Sequence, residues 1–440
     1  MSPQGSTAVA ARLLQNYVDG AWAPARSERA LDVLNPANGD TLAQVPLSNV
    51  GDVEAAVAAA RRAFPGWRST PVIQRAQAMF DLRASIVDAA DEIAESITAE
   101  MGKTLVDARA EVGRAIEMVE SAAAVPVTMQ GRVLEDVARN VDCETVRQPV
   151  GVCAAIVPFN FPAMVPFWFL PFAIACGNTF VIKPSEQVPT TLIKIFELID
   201  QLGLPAGVVN LVNGDVEVAN ALIDSPEVDA VSFVGSAAVA REVYSRSAAN
   251  GKRVQALGGA KNFMVVLEDA HITNTVKGVI GSAFGAAGQR CMAGSILLTV
   301  GDAHRRLVLP LCDATARLKV GDGIDEGVDV GPVISAKARE RIEASIERAV
   351  AEGAEILVDG RGVNPGSGSF VGPTILDNVT SAMAIAQEEV FGPVLCVMRA
   401  KTLEDAIGKI NASPYGNGTS LFTESGPAVR RFRHDVEVGM

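Results

Sequence analysis

Residues 152–187 read VCAAIVPFNFPAMVPFWFLPFAIACGNTFVIKPSEQ, and this stretch decides the fold. Its apolar pattern predicts a buried strand at 152–157, a helix at 163–176 and a second strand at 179–182. No charged residue occurs from Gln148 to Ile182, and such a run resembles a membrane span in hydropathy. Prolines interrupt the run repeatedly, and a continuous spanning helix does not tolerate them. We therefore expect a buried strand, a loop and a buried helix, and no membrane contact.

The same alternation continues to residue 257. Further strands are predicted at 208–212, 228–234 and 253–257, and further helices at 190–202, 216–223 and 237–249. Five strands alternating with four helices imply right-handed crossovers and a doubly wound parallel sheet. Ligands of such sheets bind beyond the carboxyl ends of the strands. The segments at these ends are 158–160, 183–186, 213–215, 235–236 and 257–259.

The regions on either side of this sheet are also α/β or helical. Before it, the periodicity predicts a helix at 52–63 and a long helical run from about 73 to 122. After it, strands are predicted near 262–267, 295–300 and 355–358, with a helix at 338–352. The fold class is therefore α/β, and the length of 440 residues suggests about two or three domains.

Charge and cysteine content exclude several classes of protein. The formal net charge is -13 and no cluster of Lys and Arg occurs, so a nucleic-acid partner is not expected. The six cysteines form no CxxC pair and have no histidine at metal-ligand spacing, so no metal site is predicted. This cysteine pattern favours a reducing compartment, and an N-terminus without the regions of a secretory signal indicates a cytoplasmic location.

Two of the strand-end segments contain groups suited to a nucleotide. Gly235 and Ser236 lie between a strand and a helix, where backbone amides can face a phosphate, but the same pattern fits an ordinary helix cap. Lys183 and Glu186 are spaced to hold ribose hydroxyls, or to form a surface ion pair. A carboxylate at Glu186 would repel a 2'-phosphate, which favours NAD over NADP.

Cys291, in the stretch Gly288-Gln289-Arg290-Cys291-Met292, is the candidate nucleophile. None of the three histidines lies near it in sequence. Positive charge from Arg290 or a helix N-terminus would lower the pKa of the thiol and so activate it without a histidine. The alternative is a small residue of the core.

Seven ordered stretches together give a more specific signal. They are IVPFNFPAMVPFW, GNTFVIKPSEQVPTT, VSFVGSAAVAREVY, ALGGAKNF, FGAAGQRCMAG, EEVFGPVL and NASPYGNGTSLFT. The chain resembles the aldehyde dehydrogenase superfamily in all of them, and within it the CoA-acylating methylmalonate-semialdehyde dehydrogenases. The resemblance implies an NAD-binding domain at 1–122 and 150–257, a catalytic domain at 258–430 and a small oligomerisation arm at 123–149.

The resemblance also implies roles for individual residues. Cys291 would attack the aldehyde, and the side chain of Asn160 with the backbone N–H of Cys291 would hold the oxyanion. Arg114 and Arg290 would bind a substrate carboxylate. Arg114 also fits a solvated helix position paired with Glu111 or Glu117, and Arg290 could instead only tune Cys291. The residues implied for NAD binding are Phe159, Lys183, Glu186, Gly235, Ser236, Leu257, Glu389 and Phe391.

One departure from the wider superfamily concerns the final acceptor. Hydrolytic members carry a glutamate before Leu-Gly-Gly, but this chain has Ala256 there, and a methyl group cannot activate water. Coenzyme A is then the expected co-substrate, and a malonate or methylmalonate semialdehyde would yield acetyl-CoA or propionyl-CoA with loss of CO2. The alternatives are a hydrolytic dehydrogenase that uses another base and an inactive binding protein.

Three further expectations rest on the resemblance. A homo-oligomer, either a dimer or a tetramer, is implied. Family members continue beyond the point that corresponds to Met440, so a further C-terminal segment is expected. Phe263 occupies a position where the subfamily commonly has histidine, which bears on CoA binding or on substrate preference.

Overall fold

A computed structural model describes residues 11–363 and 365–440, so residues 1–10 of the predicted first domain lie outside the described residues. The chain divides into two compact units. The first contains the residues before Pro36 together with Asp40–Glu100 and Arg109–Gly258. The second contains Pro36–Gly39, Met101–Ala108 and Gly259–Met440. The roles assigned to the predicted domains remain predictions.

Eleven described strands occur up to Gly258. They are β1 (Asn16–Val18), β2 (Ala21–Ala23), β3 (Ala30–Leu34), β4 (Thr41–Pro46), β5 (Arg132–Ala138), β6 (Val141–Thr145), β7 (Val152–Ile156), β8 (Thr179–Lys183), β9 (Val209–Leu211), β10 (Ala230–Gly235) and β11 (Arg253–Gly258). The helices of this part are α1 (Val50–Ser69), α2 (Val72–Asp88), α3 (Ala90–Met101), α4 (Leu105–Ala123), α5 (Val125–Thr128), α6 (Met164–Ala175), α7 (Thr190–Gln201), α8 (Val216–Asp224) and α9 (Ala237–Ala249).

The main sheet of the first unit has the order β11-β10-β7-β8-β9-β1-β2. Strands β11 to β9 are parallel, and β1 and β2 extend the sheet with antiparallel pairs. The five predicted strands are therefore confirmed. From β7 the chain adds β8 and β9 on one side and then β10 and β11 on the other side, so the winding reverses between β7 and β10. In a doubly wound sheet, this switch point is where a crevice for a ligand forms.

The core explains why these strands form. Strands β7, β8 and β10 bring Ala154, Val181 and Phe233 into one buried apolar cluster, which also includes Val57 of α1 and Val243 of α9. Burial on both faces favours continuous apolar strands, as the sequence has in β8. The charge-free stretch forms β7, α6 and β8 as predicted. No helix among the described residues is long and apolar enough to cross a membrane.

The predicted helical run from 73 to 122 is wrong in one respect, because it forms three helices. Helix α2 ends at Asp88, and α3 is separated from α4 at residues 102–104. Gly102 has φ of +90°, and a Cβ on it would come within 2.6 Å of Pro332 and 2.8 Å of Pro36. Tertiary packing against two prolines therefore ends α3, and helical periodicity does not detect this.

The second unit contains the remaining elements. Its strands are β12 (Asn262–Val266), β13 (Gly294–Val300), β14 (Glu355–Val358), β15 (Thr374–Asp377), β16 (Val394–Ala400) and β17 (Thr419–Phe422). Its helices are α10 (Ile272–Phe284), α11 (Ala303–Thr315), α12 (Ala336–Ala351), α13 (Ala384–Gln387), α14 (Leu403–Asn411) and α15 (Gly426–Asp435), with a 3-10 turn at Gly285–Gly288. The sheet order is β14-β15-β16-β13-β12-β17, and only the β14–β15 pair among its described pairs is antiparallel.

A separate hairpin occupies most of the predicted arm at 123–149. Strands β5 and β6 pair with each other in an antiparallel sheet of two strands. All of their residues are exposed, including the apolar side chains of Val133, Leu134, Val137 and Val141. An isolated pair of strands with so much exposed apolar surface is marginally stable in water by itself.

Candidate active site

The first group of predicted residues lies at one edge of the main sheet. Lys183 ends β8 and is paired in register with Ile156 at the end of β7, after which Phe159 and Asn160 follow. Gly235 ends β10 and is paired with Gly258 of β11, next to Leu257. The structure thus brings the carboxyl ends of four parallel strands to one edge, at and beside the switch point.

Lys183 and Glu186 form a close ion pair at this edge. The Nζ atom of Lys183 donates to Oε2 of Glu186 at 3.1 Å and to the carbonyl oxygen of Pro184 at 2.9 Å. Only 4% of Lys183 is exposed, whereas Glu186 is half-buried, so the ion pair is formed at the edge of the buried region and not between two exposed side chains. Burial lowers the pKa of Lys183, and the carboxylate of Glu186 counteracts that effect.

The N-terminus of α9 differs from those of the three preceding helices. In each of the other three, a carboxylate accepts hydrogen bonds from backbone amides of the first turn. Glu111 accepts from Ala163 and Met164 at the start of α6, and Glu100 accepts from Thr190 and Thr191 at the start of α7. Asp215 accepts from Glu217 at the start of α8. Ser236 is the residue immediately before α9, but its side chain makes no capping hydrogen bond. The ordinary helix cap is therefore not formed, and this N-terminus is suited to an anionic ligand.

Glycine keeps the approach to this N-terminus open. A Cβ on Gly258 would lie 3.0 Å from the carbonyl oxygens of Gly235 and Ser236 and 2.5 Å from Cβ of Ala240. Any larger residue at this position would therefore push β11 away from α9. The pattern of small residues fits close packing of strand, turn and helix, which a pyrophosphate site requires.

Arg114 lies on α4 as an exposed side chain. Its Nη1 atom is 2.6 Å from Oε2 of Glu117, and 67% of the side chain is exposed. This is the solvated ion pair that the sequence left open as the alternative. Its binding of a substrate carboxylate remains a prediction.

Cys291 follows a turn with unusual backbone angles in the second unit. Ala286 and Ala287 have φ of 51° and 52°, and Gly288 has φ of 68°. A Cβ on Gly288 would be 2.1 Å from the carbonyl oxygen of Gly392, so only glycine fits there. The amide of Ala286 donates to Oδ2 of Asp107 at 2.9 Å, which holds the left-handed segment in place.

The second group of predicted residues meets around Cys291. One small pocket of the second unit is lined by Arg290, Cys291, Glu389 and Phe391, with Asn262 among its other residues. Phe391 has φ of 52°, a left-handed conformation that few residues other than glycine adopt. The pocket therefore brings the candidate nucleophile together with both residues predicted for the nicotinamide half of NAD.

Glu389 is surrounded by groups that offset its burial. Burial raises the pKa of its carboxyl, whereas the amide of Ala260 and the charges of Lys261 and Arg341 lower it. Lys261 is itself buried and donates from Nζ to the carbonyl oxygen of Glu388 at 3.0 Å. Arg341 donates from Nη1 to the carbonyl oxygen of Val390. The backbone on both sides of Glu389 is thus held by a cation.

The prediction that the surroundings of Cys291 lower the pKa of its thiol is wrong. Burial is the largest influence and raises the pKa of the thiol, and the carboxylate of Glu389 adds to this. Hydrogen bonds from the amides of Cys291 and Met292 act in the opposite direction, and Arg290 contributes least. The Nη2 atom of Arg290 instead donates to the carbonyl oxygens of Gly281 at 2.5 Å and Ser282 at 2.8 Å, near the end of α10.

Several residues of the site were not identified from the sequence. Asn262 and Asn417 both donate to the carbonyl oxygen of Cys291, at 2.8 and 3.0 Å. They lie within the stretches ALGGAKNF and NASPYGNGTSLFT, which were the only signal for them. Asp107 and Glu111 lay in a helical run whose periodicity gave no indication of their partners. No group of three metal-ligating side chains occurs among the described residues.

Comparisons with known proteins show which family the chain is similar to. The sequence model of the aldehyde dehydrogenase family matches residues 22–440. Malonate-semialdehyde dehydrogenase of Bacillus pumilus (strain SAFR-032) is 46% identical over 431 residues, which are 98% of this chain and 89% of that protein.

Two solved structures are similar over nearly the same length. Methylmalonate-semialdehyde dehydrogenase from Oceanimonas doudoroffii has a TM-score of 0.95 and 45% identity, covering 98% of this chain and 88% of the other. A Sinorhizobium meliloti 1021 protein assigned to the same activity, solved in complex with NAD, has a TM-score of 0.95 and 39% identity at the same coverage.

Proposed function

This chain belongs to the aldehyde dehydrogenase family, and we propose that it oxidises malonate or methylmalonate semialdehyde with NAD and passes the acyl group to coenzyme A. The observation that carries the proposal is the pocket in which Cys291 lies with Glu389 and Phe391. The similarity to enzymes that act on malonate and methylmalonate semialdehyde supports this choice of substrate.

The first step is the addition of the Cys291 sulfur to the aldehyde carbon. A carbon–sulfur bond forms, and the two electrons of the carbonyl π bond move to oxygen. The side-chain amide of Asn160 and the backbone N–H of Cys291 are the proposed donors to that oxyanion. Stabilisation by donors aimed at developing charge is worth about 10²- to 10³-fold for each donor.

Bound NAD supplies the acceptor for the hydride that leaves the same carbon. The residues of this chain fit that group: the N-terminus of α9 has no side-chain cap from Ser236, and Lys183 and Glu186 lie at the sheet edge beside it. Glu389 and Phe391 line the pocket of the nucleophile and are proposed to hold the nicotinamide half. Cys291 then carries a thioester.

Arg290 and Arg114 are the proposed contacts of the substrate carboxylate. The Nε atom of Arg290 is buried and has no hydrogen-bond partner among the described residues, so one donor remains for an acidic ligand. Loss of the carboxylate as CO2 leaves its bonding electrons on the α-carbon, which the thioester carbonyl stabilises until a proton is taken up. The product on Cys291 is an acetyl or a propionyl group.

The residue at position 256 indicates which molecule accepts the acyl group. Ala256 lies in β11 and is partly buried, so a carboxylate is absent where hydrolytic relatives place their base. Without a general base, attack of water loses about 10²- to 10⁴-fold. The thiolate of coenzyme A needs no such base, and its attack on the thioester releases the Cys291 thiolate.

The quaternary structure and the location are part of the same proposal. The exposed apolar side chains of the β5–β6 hairpin support the role of residues 123–149 as an arm that joins subunits in a dimer or tetramer. All six cysteines are free thiols, which supports a reducing location such as the cytoplasm.

The test is turnover of malonate semialdehyde with NAD, with and without coenzyme A, followed as NADH and as acyl-CoA. We expect acetyl-CoA in amounts equal to NADH, and turnover without coenzyme A lower by about 10²-fold or more. Cys291→Ser should abolish both products, whereas Cys143→Ser, at an exposed cysteine of β6, should change neither. Equal turnover without coenzyme A, with a free acid as product, would replace the proposal by a hydrolytic enzyme.

A further inference from the structure

The carbonyl oxygen of Cys291 accepts two side-chain hydrogen bonds. The Nδ2 atom of Asn262 donates to it at 2.8 Å, and the Nδ2 atom of Asn417 donates to it at 3.0 Å. Asn262 is the first residue of β12, and Asn417 lies just before β17. Two adjacent strands of the second sheet thus each direct one amide to the same peptide bond.

Both amides are themselves held in place. Asn262 is buried, donates its second hydrogen to the carbonyl oxygen of Ala293 at 2.8 Å and accepts from the amide of Gly418 at 3.1 Å. Asn417 also contacts the sulfur of Met292 at 3.0 Å. A Cβ on Gly418 would lie 2.6 Å from Cε of Met292, so glycine allows this close approach. Each of the two donors therefore has a further contact beside Cys291.

Peptide geometry connects this anchoring to the thiol. In a trans peptide the carbonyl oxygen and the next N–H point in opposite directions. Two donors on the carbonyl oxygen of Cys291 thus also fix the direction of the Met292 N–H. That N–H and the N–H of Cys291 are the backbone donors that stabilise the ionised sulfur. Hydrogen bonds to the carbonyl also polarise the peptide and strengthen its N–H as a donor.

We propose that Asn262 and Asn417 are positioning residues for the nucleophile, which orient and polarise the Cys291–Met292 peptide so that its N–H stabilises the Cys291 thiolate. The need for this is set by the surroundings of the sulfur. The carboxylate of Glu389 opposes ionisation, and Arg290, held on carbonyls of α10, offsets it only weakly. The role as a nucleophile rests on the proposed function, but the effect on ionisation does not.

The test is the rate of alkylation of Cys291 by iodoacetamide as a function of pH, followed by peptide mass spectrometry in the absence of aldehyde, NAD and coenzyme A. We expect Asn417→Ala to slow alkylation near neutral pH by about two- to tenfold, the effect of one lost hydrogen bond, and to shift the profile to higher pH. The rate at high pH, where the thiol is fully ionised, should be unchanged.

Two further variants separate positioning from loosening of the fold. Asn262→Ala should act in the same direction, and Asn417 carries the test if that buried variant does not fold. Asn411→Ala is the control. The side-chain amide of Asn411 forms hydrogen bonds with the backbone of Asp435 and Glu437 in the same C-terminal region, and neither bond involves Cys291. The proposal fails if Asn417→Ala leaves the profile unchanged, or if Asn411→Ala shifts it equally. The alkylation rate is measured without turnover, so this test of positioning is valid even if the proposed activity is absent.

Discussion

At the scale of single residues, Cys291 is a partly buried thiol whose pKa lies above its usual range, because burial and Glu389 both disfavour the thiolate. We predict that Glu389→Gln lowers this pKa, since the charge of Glu389 affects the pKa of the sulfur more strongly than the charge of Arg290 does. Alkylation by iodoacetamide near neutral pH, without NAD, should then be faster than in the parent chain. Glu388→Gln is the matched control, because that neighbouring carboxylate is exposed and pairs with Arg348. An unchanged or higher pKa in Glu389→Gln would contradict the assignment.

Lys261 gives a second prediction at this scale. Its buried ammonium is bonded to the backbone before Glu389, and its charge favours the ionised carboxylate. We predict that Lys261→Met weakens NAD binding by about tenfold, because Glu389 loses both a fixed backbone and part of its charge compensation. Isothermal titration with NAD measures this, with Lys277→Met on the exposed face of α10 as the control. Equal affinities for both variants would sink the idea.

The sequence allowed the prediction of residues whose role follows from their type, but not of those that act through the backbone. Cys291, Arg290, Glu389 and Phe391 were predicted and line one pocket. Asn262 was missed because its partners are carbonyl groups that only the folded chain brings to it. The direction of the Cys291 pKa was wrong for the same reason: burial cannot be read from the neighbour Arg290.

At the scale of elements, two helices that flank the first sheet, α6 and α7, are held at their N-termini by Glu111 and Glu100 of the N-terminal helices. Glu100 of α3 is fully buried at the start of α7. Burial raises the pKa of its carboxyl to about 7, from an ordinary value of about 4.5. Because the folded state holds this proton more tightly, Glu100 stabilises the fold below about pH 4.5, and that contribution is lost as the pH rises to about 7.

We predict that Glu100→Gln reduces the fall in stability between about pH 5 and about pH 8, by an amount on the order of 3 kcal/mol. Urea unfolding at both pH values, followed by fluorescence, measures the difference. Glu95→Gln, an exposed change on the same helix, should leave the pH dependence as it is in the parent chain. A parent chain equally stable at both pH values would show that Glu100 does not titrate in this range.

Helices and strands were predicted well where their apolar residues repeat with one period along the whole element. They were predicted poorly where tertiary packing ends the element or where the element is very short. The strands and helices from 152 to 258 were predicted to within about two residues, because their apolar runs are continuous. The break before α4 was missed because the prolines that cause it are Pro36 and Pro332, far away in sequence. Strands β1 and β2 have three residues each, too few for a period to be visible.

At the scale of the whole molecule, the parallel direction of β7 to β11 follows from their alternation with helices, so the sequence could predict it. The order of the strands in the sheet was not predicted. The hairpin of β5 and β6 has no partner within the described chain for its exposed apolar side chains. We predict that Leu134→Lys combined with Val141→Lys lowers the molecular mass in solution toward that of one chain. Sedimentation velocity tests this, and Ile73→Lys, at an exposed apolar position of α2, is the control. An unchanged mass in the double variant would exclude the hairpin as the subunit contact.

The most direct test of the central claim is a single-turnover measurement without coenzyme A. With NAD and malonate semialdehyde, the account predicts a burst of about one NADH per active site, after which Cys291 carries an acetyl thioester that mass spectrometry of the protein detects. Addition of coenzyme A should then remove the acetyl group from Cys291 and restart NADH formation. Continuous NADH formation without coenzyme A, with no acyl group on Cys291, would contradict the account.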